Sequence, residues 1–438
     1  MKNIIVVIQN EFKHFARSTF KTVSLILFVG AAVYGLQNGY ELFEKHNKAI
    51  TILKAEDAKN IQKIVDLFDQ GKKSPEGRPW MDITTPFWVL WNTPSRVVKA
   101  PSALMPFTIG QAEQFGYYKQ VTNWSSTFDS DLAEEIANPE RLTTGTLDFS
   151  FILLYLLPIL IIVLLFNIGG LEKDLGFNQL IQVNNISQQK WLFARFSFYF
   201  LALIMVLLTV MLPYAILTGA FQNEFGAFIK LFSYIVVYVL LWFSVFYFIN
   251  LLGKGSADQA LKMVALWLLF CIVLPGSIHQ VASLKYPTNY MTDFINAQRD
   301  ETYKLWDVPN DTLRNRLLVL YPKLANTTHG KDTIIDDDII GNSSSGLVNE
   351  MMKNAAHGIE SNSDDKNRFI RNTYWINPVS FFQNKINALA HNDYDSYEQF
   401  RGNIQTMIDK KINIMLFDCW NKKVVNKEKY LEYVKNFK

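Results

Sequence analysis

Phe151-Ile-Leu-Leu-Tyr-Leu-Leu-Pro158-Ile-Leu-Ile-Ile-Val-Leu-Leu-Phe166 carries no charge, and within three residues it gives way to Gly169-Gly170-Leu171-Glu172-Lys173-Asp174-Leu175-Gly176. A helix on the surface of a soluble core shows a polar stripe, and this run has none. It reads as a bilayer span, so the charged residues just beyond it must occupy an aqueous loop between spans. Its single Pro158 is tolerable because neighbouring helices can satisfy the carbonyl that a proline frees.

Working outward, 49% of the 438 residues are hydrophobic and 14% aromatic, yet mean hydropathy is only +0.06. Apolar residues must therefore be segregated, with membrane and aqueous parts alternating. A bilayer core about 30 Å thick needs about 20 mostly apolar helical residues. Five segments meet that length, near 20–42, 148–170, 192–218, 226–252 and 260–281. Pro213 and Pro275 interrupt the third and fifth, and read as packing kinks before hinges.

Short cytoplasmic loops are enriched in Lys and Arg. Lys2, Lys13, Arg17 and Lys21 precede the first span, Lys173, Lys190 and Arg195 surround the loop at 171–191, and Lys254 and Lys262 flank the turn before the fifth span. These ends share the inner side. The loop at 219–225 holds only Glu224 and falls outside, together with the long segments 43–147 and 282–438. The start of the chain does not read as a cleavable signal, because the first span continues through Tyr34 and Leu36. Cys271 and Cys419 lie at very different expected depths, which argues against a disulfide between them.

Before the first span, Ile4, Ile5, Val7, Ile8, Phe12 and Phe15 recur at helical spacing, the pattern of an amphipathic helix (1–19) in the inner interface. After it, Leu53, Ile61, Ile64, Val65 and Phe68 predict that the helix extends outward and breaks at Gly71 and Pro75. From Pro79 to Leu147 prolines and aromatics predict irregular structure, its Trp and Phe residues serving packing, an interfacial belt or a substrate surface. The segment 282–438 predicts helices at 289–306, 311–325, 346–359 and 378–418, with loops at 326–345 and 360–366. The fold class is thus mainly α, a polytopic helical membrane protein with two large outer segments.

The chain has no Gly-x-x-x-x-Gly-Lys-Ser/Thr phosphate loop, no His-Glu-x-x-His pair, no spaced Cys/His set and no Gly-x-Ser-x-Gly elbow. Nucleotide hydrolysis, zinc hydrolysis and serine-esterase chemistry have nothing to stand on, and no cofactor or metal site is predicted. Asp336-Asp337-Asp338 lacks Ca²⁺-loop spacing and reads as a solvated turn. His391-Asn392-Asp393-Tyr394-Asp395 reads as a cap on the following helix, and His279 as an interfacial residue. No span has a central Asp, Glu, Lys or Arg, which argues against ion-driven transport.

The order of features resembles the permease subunits of type-2 ATP-binding-cassette (ABC) transporters, in the bacterial subgroup with large outer domains after the first and fifth spans. In that family the second span ends in a cytoplasmic loop of the form Glu-x-Glu-x-Gly-Thr-Leu. Here Glu172-Lys173-Asp174-Leu175-Gly176-Phe177-Asn178-Gln179-Leu180 stands in its place, with Asp174 for the second Glu and Phe177-Asn178 at the small Thr position. Ala137-Asn-Pro-Glu-Arg-Leu142 with Gly145-Thr-Leu-Asp-Phe149, the run Ala260 to Pro275, and Ile376-Asn-Pro-Val-Ser-Phe-Phe-Gln383 extend the likeness.

The resemblance implies that Glu172, Asp174, Gly176, Leu180, Ile181 and Ile186 form a loop that docks in a groove of an ATPase subunit, ATP and Mg²⁺ being held by that partner. It implies pairing with a second permease, the same or similar, in the bacterial inner membrane, with the amino terminus cytoplasmic and an outer accessory protein as a further candidate partner. Nothing points to nucleic acid. Such permeases have six spans, whereas the tail from Asn421 to Lys438 is too charged to be one. Either a sixth span follows Lys438 or the chain is a five-span variant. The function implied is export driven by a separate ATPase; the alternative is a membrane-anchored structural or receptor component whose outer segments bind a partner.

Overall fold

The computed structural model describes residues 2–131, 147–176, 187–287, 294, 305 and 307–437, with only the backbone of residues 2–5 and of Glu172. The described fold is mainly helical. Four helices are long and apolar enough to cross a membrane: α2 (Thr19–Asp69), α5 (Gln188–Leu217), α6 (Phe225–Leu252) and α7 (Ser256–Lys285). A shorter apolar helix, α4 (Phe149–Leu165), packs against α2, α6 and α7. Together with α1 (Lys2–Arg17) they form a bundle with one continuous hydrophobic cluster.

The charge-free run from Phe151 to Phe166 forms most of α4. Leu157, Pro158, Leu160, Ile161, Ile162, Leu164 and Leu165 are all buried within the protein. Other helices surround α4, a setting in which a helix has no need of a polar stripe. Asp148 caps its start, its carboxylate accepting from the Phe151 N–H at 2.7 Å. The chain turns at Phe166–Gly170, which makes the helix shorter than the segment 148–170.

Pro158 has a visible consequence. Residues Ile152–Leu156 form a π turn directly ahead of it. The Leu154 carbonyl, four residues before the proline, accepts from the Tyr238 hydroxyl of α6 at 2.5 Å, and the Tyr155 carbonyl accepts from the Trp267 indole of α7 at 3.0 Å. Neighbouring helices thus satisfy the freed backbone, as a proline inside an apolar helix requires. In α7 the same arrangement recurs, with a π turn over Leu269–Val273 ahead of Pro275. Pro213 behaves otherwise: α5 runs through it to Leu217 without a break.

α2 carries the first span and its extension as one helix of 51 residues, about 75 Å long. Gly71, at φ +64°, ends it: the Gly71 N–H bonds to Phe68 O and the Lys72 N–H to Leu67 O, the paired bonds of a left-handed helix stop. Its far half enters a second hydrophobic cluster, the head. Residues of both long segments share that cluster: Ile83, Phe87, Val121 and Phe128 from the first, and Leu313, Leu347, Ile404, Trp420 and Tyr430 from the second. The Pro- and aromatic-rich stretch is irregular as predicted, with the short α3 (Pro86–Asn92) and the antiparallel pair β1 (Arg96–Val98) and β2 (Tyr118–Gln120). Phe87, Trp88 and Trp91 pack in the head, while Trp80 is exposed.

The remaining helices are α8 (Asn310–Leu320), α9 (Asp337–Asn372), α10 (Pro378–Leu389), α11 (Tyr394–Trp420) and α12 (Lys427–Asn436). The loops predicted at 326–345 and 360–366 are largely overturned, since α9 runs through 337–345 and 360–366. Its Ser- and Asp-rich stretches present Ile340, Ser343, Ile359, Ser363 and Ile370 to the protein interior, and that packing outweighs poor helix propensity. Asp336 caps α9 by accepting from the Ile339 N–H. The single helix predicted over 378–418 is two, broken where His391 takes φ +55° and Asp393 occupies the cap position of α11. Most of the helix predicted at 289–306 lies outside the described residues. The charged tail folds onto the head as α12, with Tyr430, Tyr433 and Val434 buried and Lys427 paired with Asp69 at 2.7 Å.

One buried charge welds the two segments of the head together. The Lys411 ammonium, fully buried on α11, donates to Thr93 O at 3.1 Å, Ser95 Oγ at 2.6 Å and Val121 O at 2.7 Å. Burial pulls its pKa from 10.5 down to about 7. Between those two values the unfolded chain holds the extra proton, so this group makes stability rise with pH from about 7 upward. Lys411→Met removes the slope: between pH 7 and pH 9 the stability of the wild type should gain about 2 kcal/mol relative to the variant. Denaturant unfolding at the two pH values measures it, and parallel curves would show that Lys411 titrates in its ordinary range.

Candidate functional site

The loop singled out in the sequence follows α4 at the end of the bundle farthest from the head. A one-turn helix, Leu171–Asp174, starts there and stops at Leu175, with Gly176 at φ +74° just beyond. Leu180, Ile181 and Ile186 lie outside the described residues, and of Glu172 only the backbone is described. Asp174 and Gly176 are both exposed.

Consecutive charged residues of this turn address opposite helix ends. Lys173 Nζ donates to Gly253 O at 2.7 Å and lies 3.5 Å from Leu251 O, at the carboxyl end of α6. Asp174 accepts from the Ser256 N–H at 3.0 Å, at the amino end of α7. A cation at a helix carboxyl end and an anion at an amino end are the two favourable pairings with the helix dipole. The Ser256 hydroxyl and backbone N–H hold the Asp174 carboxyl below the usual carboxylate range. Close approach is built in: a Cβ on Gly170 would meet Ser256 N at 2.4 Å, so the turn can press against the start of α7 only with glycine there.

Beneath the turn lies a buried polar link. Asn250 Oδ1 accepts from the Gly169 N–H at 2.9 Å, its amide donates to Phe246 O at 3.0 Å, and its backbone carbonyl accepts from Gln259 Nε2 at 3.1 Å. Asn250 and Gln259 are both fully buried. The chain leaving α4, the end of α6 and the first turns of α7 are thereby joined.

A second cluster at this end fastens α4 to the amino-terminal helices. The Arg195 guanidinium of α5 pairs with Glu11 of α1 at 2.5 Å and donates to Ile168 O at 3.0 Å. Lys21 Nζ donates to Leu164 O at 2.7 Å and to the Tyr199 hydroxyl at 3.0 Å, and Tyr199 donates to Glu11 at 2.7 Å. Two cations therefore take up carbonyls at the carboxyl end of α4, and Glu11 compensates them. Phe12 and Phe15 of α1 pack edge-on against Phe198 and Tyr199.

Of the residues singled out in sequence, the structure brings Asp174 against α7 and sets Gly176 at the end of the turn. Sequence reasoning counted Lys21, Lys173 and Arg195 as markers of sidedness and passed over Glu11, Asn250 and Gln259. The available signal was polarity at the ends of apolar helices: Glu11 is the one acid ahead of the first span, and Asn250 interrupts the apolar run Trp242 to Leu252. Among the described residues no three His, Cys, Asp or Glu side chains converge as metal ligands would. No protein-family model, curated protein or solved structure matches this chain.

Asn250→Leu strands the Gly169 N–H in an apolar setting, at about 1–3 kcal/mol for the orphaned donor, while the Gln259 amide keeps the backbone carbonyl it bonds. A loss of roughly 1–3 kcal/mol in stability is expected, read as a lowered unfolding midpoint of the purified protein. Asp174→Asn, at an exposed position, should leave the midpoint unchanged. Equal midpoints for wild type and Asn250→Leu would remove the polar link from the account.

Proposed function

We propose that the chain is the permease subunit of an ABC exporter, in which a separate ATPase subunit docks on the turn at Leu171–Gly176 and its closure is passed to the helix bundle. The observation that carries this reading is the joint seating of the turn: Lys173 on the end of α6, Asp174 on the start of α7, and Gly169 on Asn250. A displacement of so short a segment, held by three hydrogen bonds to two helix ends, is delivered to α4, α6 and α7 together. A solvated loop without such ties would absorb the motion. ATP and Mg²⁺ are held by the partner in this reading, which is consistent with a sequence that has no phosphate loop.

In this reading α2, α4, α5, α6 and α7 span the bacterial inner membrane, the turn faces the cytoplasm, and the head lies on the outer side. Two permeases, identical or similar, enclose the path between them, and two ATPase subunits bind from below. Glu172 supplies the charge for the partner, because Asp174 already serves α7. The substrate is a molecule leaving the cytoplasm or the membrane.

Glu172→Lys tests the contact without touching the Asp174–Ser256 bond. Charge reversal at a docking surface should lower ATPase co-purification at least about tenfold while the unfolding midpoint stays in place. Asp174→Lys combined with Glu172→Lys should abolish ATP-dependent transport as well. Unchanged co-purification and unchanged ATP turnover in the double variant would reject coupling through this turn and favour the reading of an anchored receptor.

A further inference from the structure

A cavity of about 330 Å³ opens where the bundle meets the head, between the last third of α7, the end of α9, one side of α10, the start of α11 and the loop holding Gly110–Gln114. Its lining is dominated by side-chain amides: Gln111, Gln114, Gln383, Asn384 and Asn387 all border it. Buried polar groups in folded proteins are nearly always paired. Among the described residues one buried amide oxygen here is not, and further amides of the lining are solvent-accessible with hydrogen-bonding capacity to spare. Gln111 Oε1 is buried with no partner. Gln383 Oε1 accepts from the Tyr155 hydroxyl at 3.4 Å and Asn387 Oδ1 from the Thr108 hydroxyl, so the amide N–H groups of both remain unused among the described residues. Gln114 and Asn384 make no side-chain hydrogen bond among the described residues.

The composition of the lining excludes most ligand classes. No lysine or arginine borders the cavity, so a phosphate or carboxylate would enter without a countercharge. A single carboxylate, Asp393, borders the cavity, whereas a bound divalent cation ordinarily draws on several oxygen ligands with more than one charge. An apolar ligand would strand the amides. An extended peptide is recognised along a strand edge or an open groove, and neither β1 nor β2 reaches this compact site. What fits is a neutral ligand dense in paired donors and acceptors. Carboxamides offer both functions side by side, as vicinal hydroxyls require, and Tyr374 and Tyr394 border the same cavity.

We propose that this cavity binds a neutral saccharide, presented as the headgroup of a glycolipid or as a free sugar. Its place supports the lipid source: on the helix that carries His279 into the lining, Ile272, Val273, Val281 and Leu284 are exposed and offer an apolar surface to acyl chains. The proposal stands apart from coupling to an ATPase, which acts at the opposite end of the bundle, so either can fail alone.

The test uses the full chain, extracted in a zwitterionic detergent without sugar and placed in nanodiscs of phosphatidylethanolamine and phosphatidylglycerol. One set also contains monoglucosyl diacylglycerol, with retained lipid read by native mass spectrometry; maltose is titrated by calorimetry into the other. Retention of one glycolipid per chain without maltose binding identifies a lipid headgroup, and binding of maltose as well shows that the sugar alone suffices. Gln114→Ala combined with Asn384→Ala should weaken binding roughly tenfold, the loss of two neutral hydrogen bonds. Asn354→Ala, elsewhere on the head, should change nothing. Neither residue of the double variant has an internal partner, so its fold is expected to persist, and an unchanged unfolding midpoint checks this. Failure of the wild type to bind either probe, which needs no variant, overturns the proposal, as does equal binding by the folded double variant.

Discussion

The carbonyls of α4 are the constraint on which the rest of the bundle depends. A helix inside an apolar bundle has no water to complete its backbone, so each group it cannot pair internally must find a protein donor. α4 creates such groups at two places. Leu154 O and Tyr155 O in the π turn before Pro158 take outside donors, as do Leu164 O at its carboxyl end and Ile168 O in the turn that follows. The donors come from four different helices: Tyr238 of α6, Trp267 of α7, Lys21 of α2 and Arg195 of α5. The positions of those helices around α4 therefore follow in part from where α4 needs donors, with apolar packing supplying the area of contact.

The same constraint explains where the sequence was legible. Four of the five apolar segments are recovered as long helices because length and hydropathy are properties of a segment by itself. The end of α2 was equally legible, since Gly71 supplies the left-handed residue that a stop requires. The end of α4 was not, because it is set by Lys21 and Arg195, distant in sequence. Likewise Lys173 and Asp174 are visible as charges, but their division between two helix ends depends on bringing residues 251–256 alongside. In the head, helix α9 overrides a composition rich in Asn, Ser and Asp. The deciding signal was the apolar set Ile340, Leu347, Met352, Ile359 and Ile370, all buried, weaker than the loop-like texture around it.

Bundle and head are joined at defined points as well as through the unbroken α2. Glu224, read in sequence as the sole charge of a short loop, accepts from the Ser102 hydroxyl at 2.5 Å and the Ala103 N–H at 3.2 Å. Asp148 caps α4 and also accepts from the Ile109 N–H at 3.1 Å. Arg96 of β1 grips Asp57 on the far half of α2 through two hydrogen bonds. Ties of this kind make the loop 102–109 a shared part of both regions. They also place three carboxylates where each accepts from more than one donor, which favours fixed geometry over loose attachment.

The two π turns bear on how motion crosses this assembly. They occur in the same register, five residues ending directly before a Leu-Pro pair, in α4 and again in α7. They also meet: Cys271, inside the turn of α7, lies with its Sγ 3.8 Å from Leu154 O, inside the turn of α4. A π turn has lost part of its own hydrogen-bond ladder, so its shape is held by side chains from neighbouring helices. A shift of α7 moves Trp267 and Cys271 and thus alters what holds α4, while a shift of α6 does the same through Tyr238. The start of α7 is in turn held by Asp174 and the end of α6 by Lys173, so the polar end of the bundle and its proline-bent middle are tied by hydrogen bonds to the same three helices.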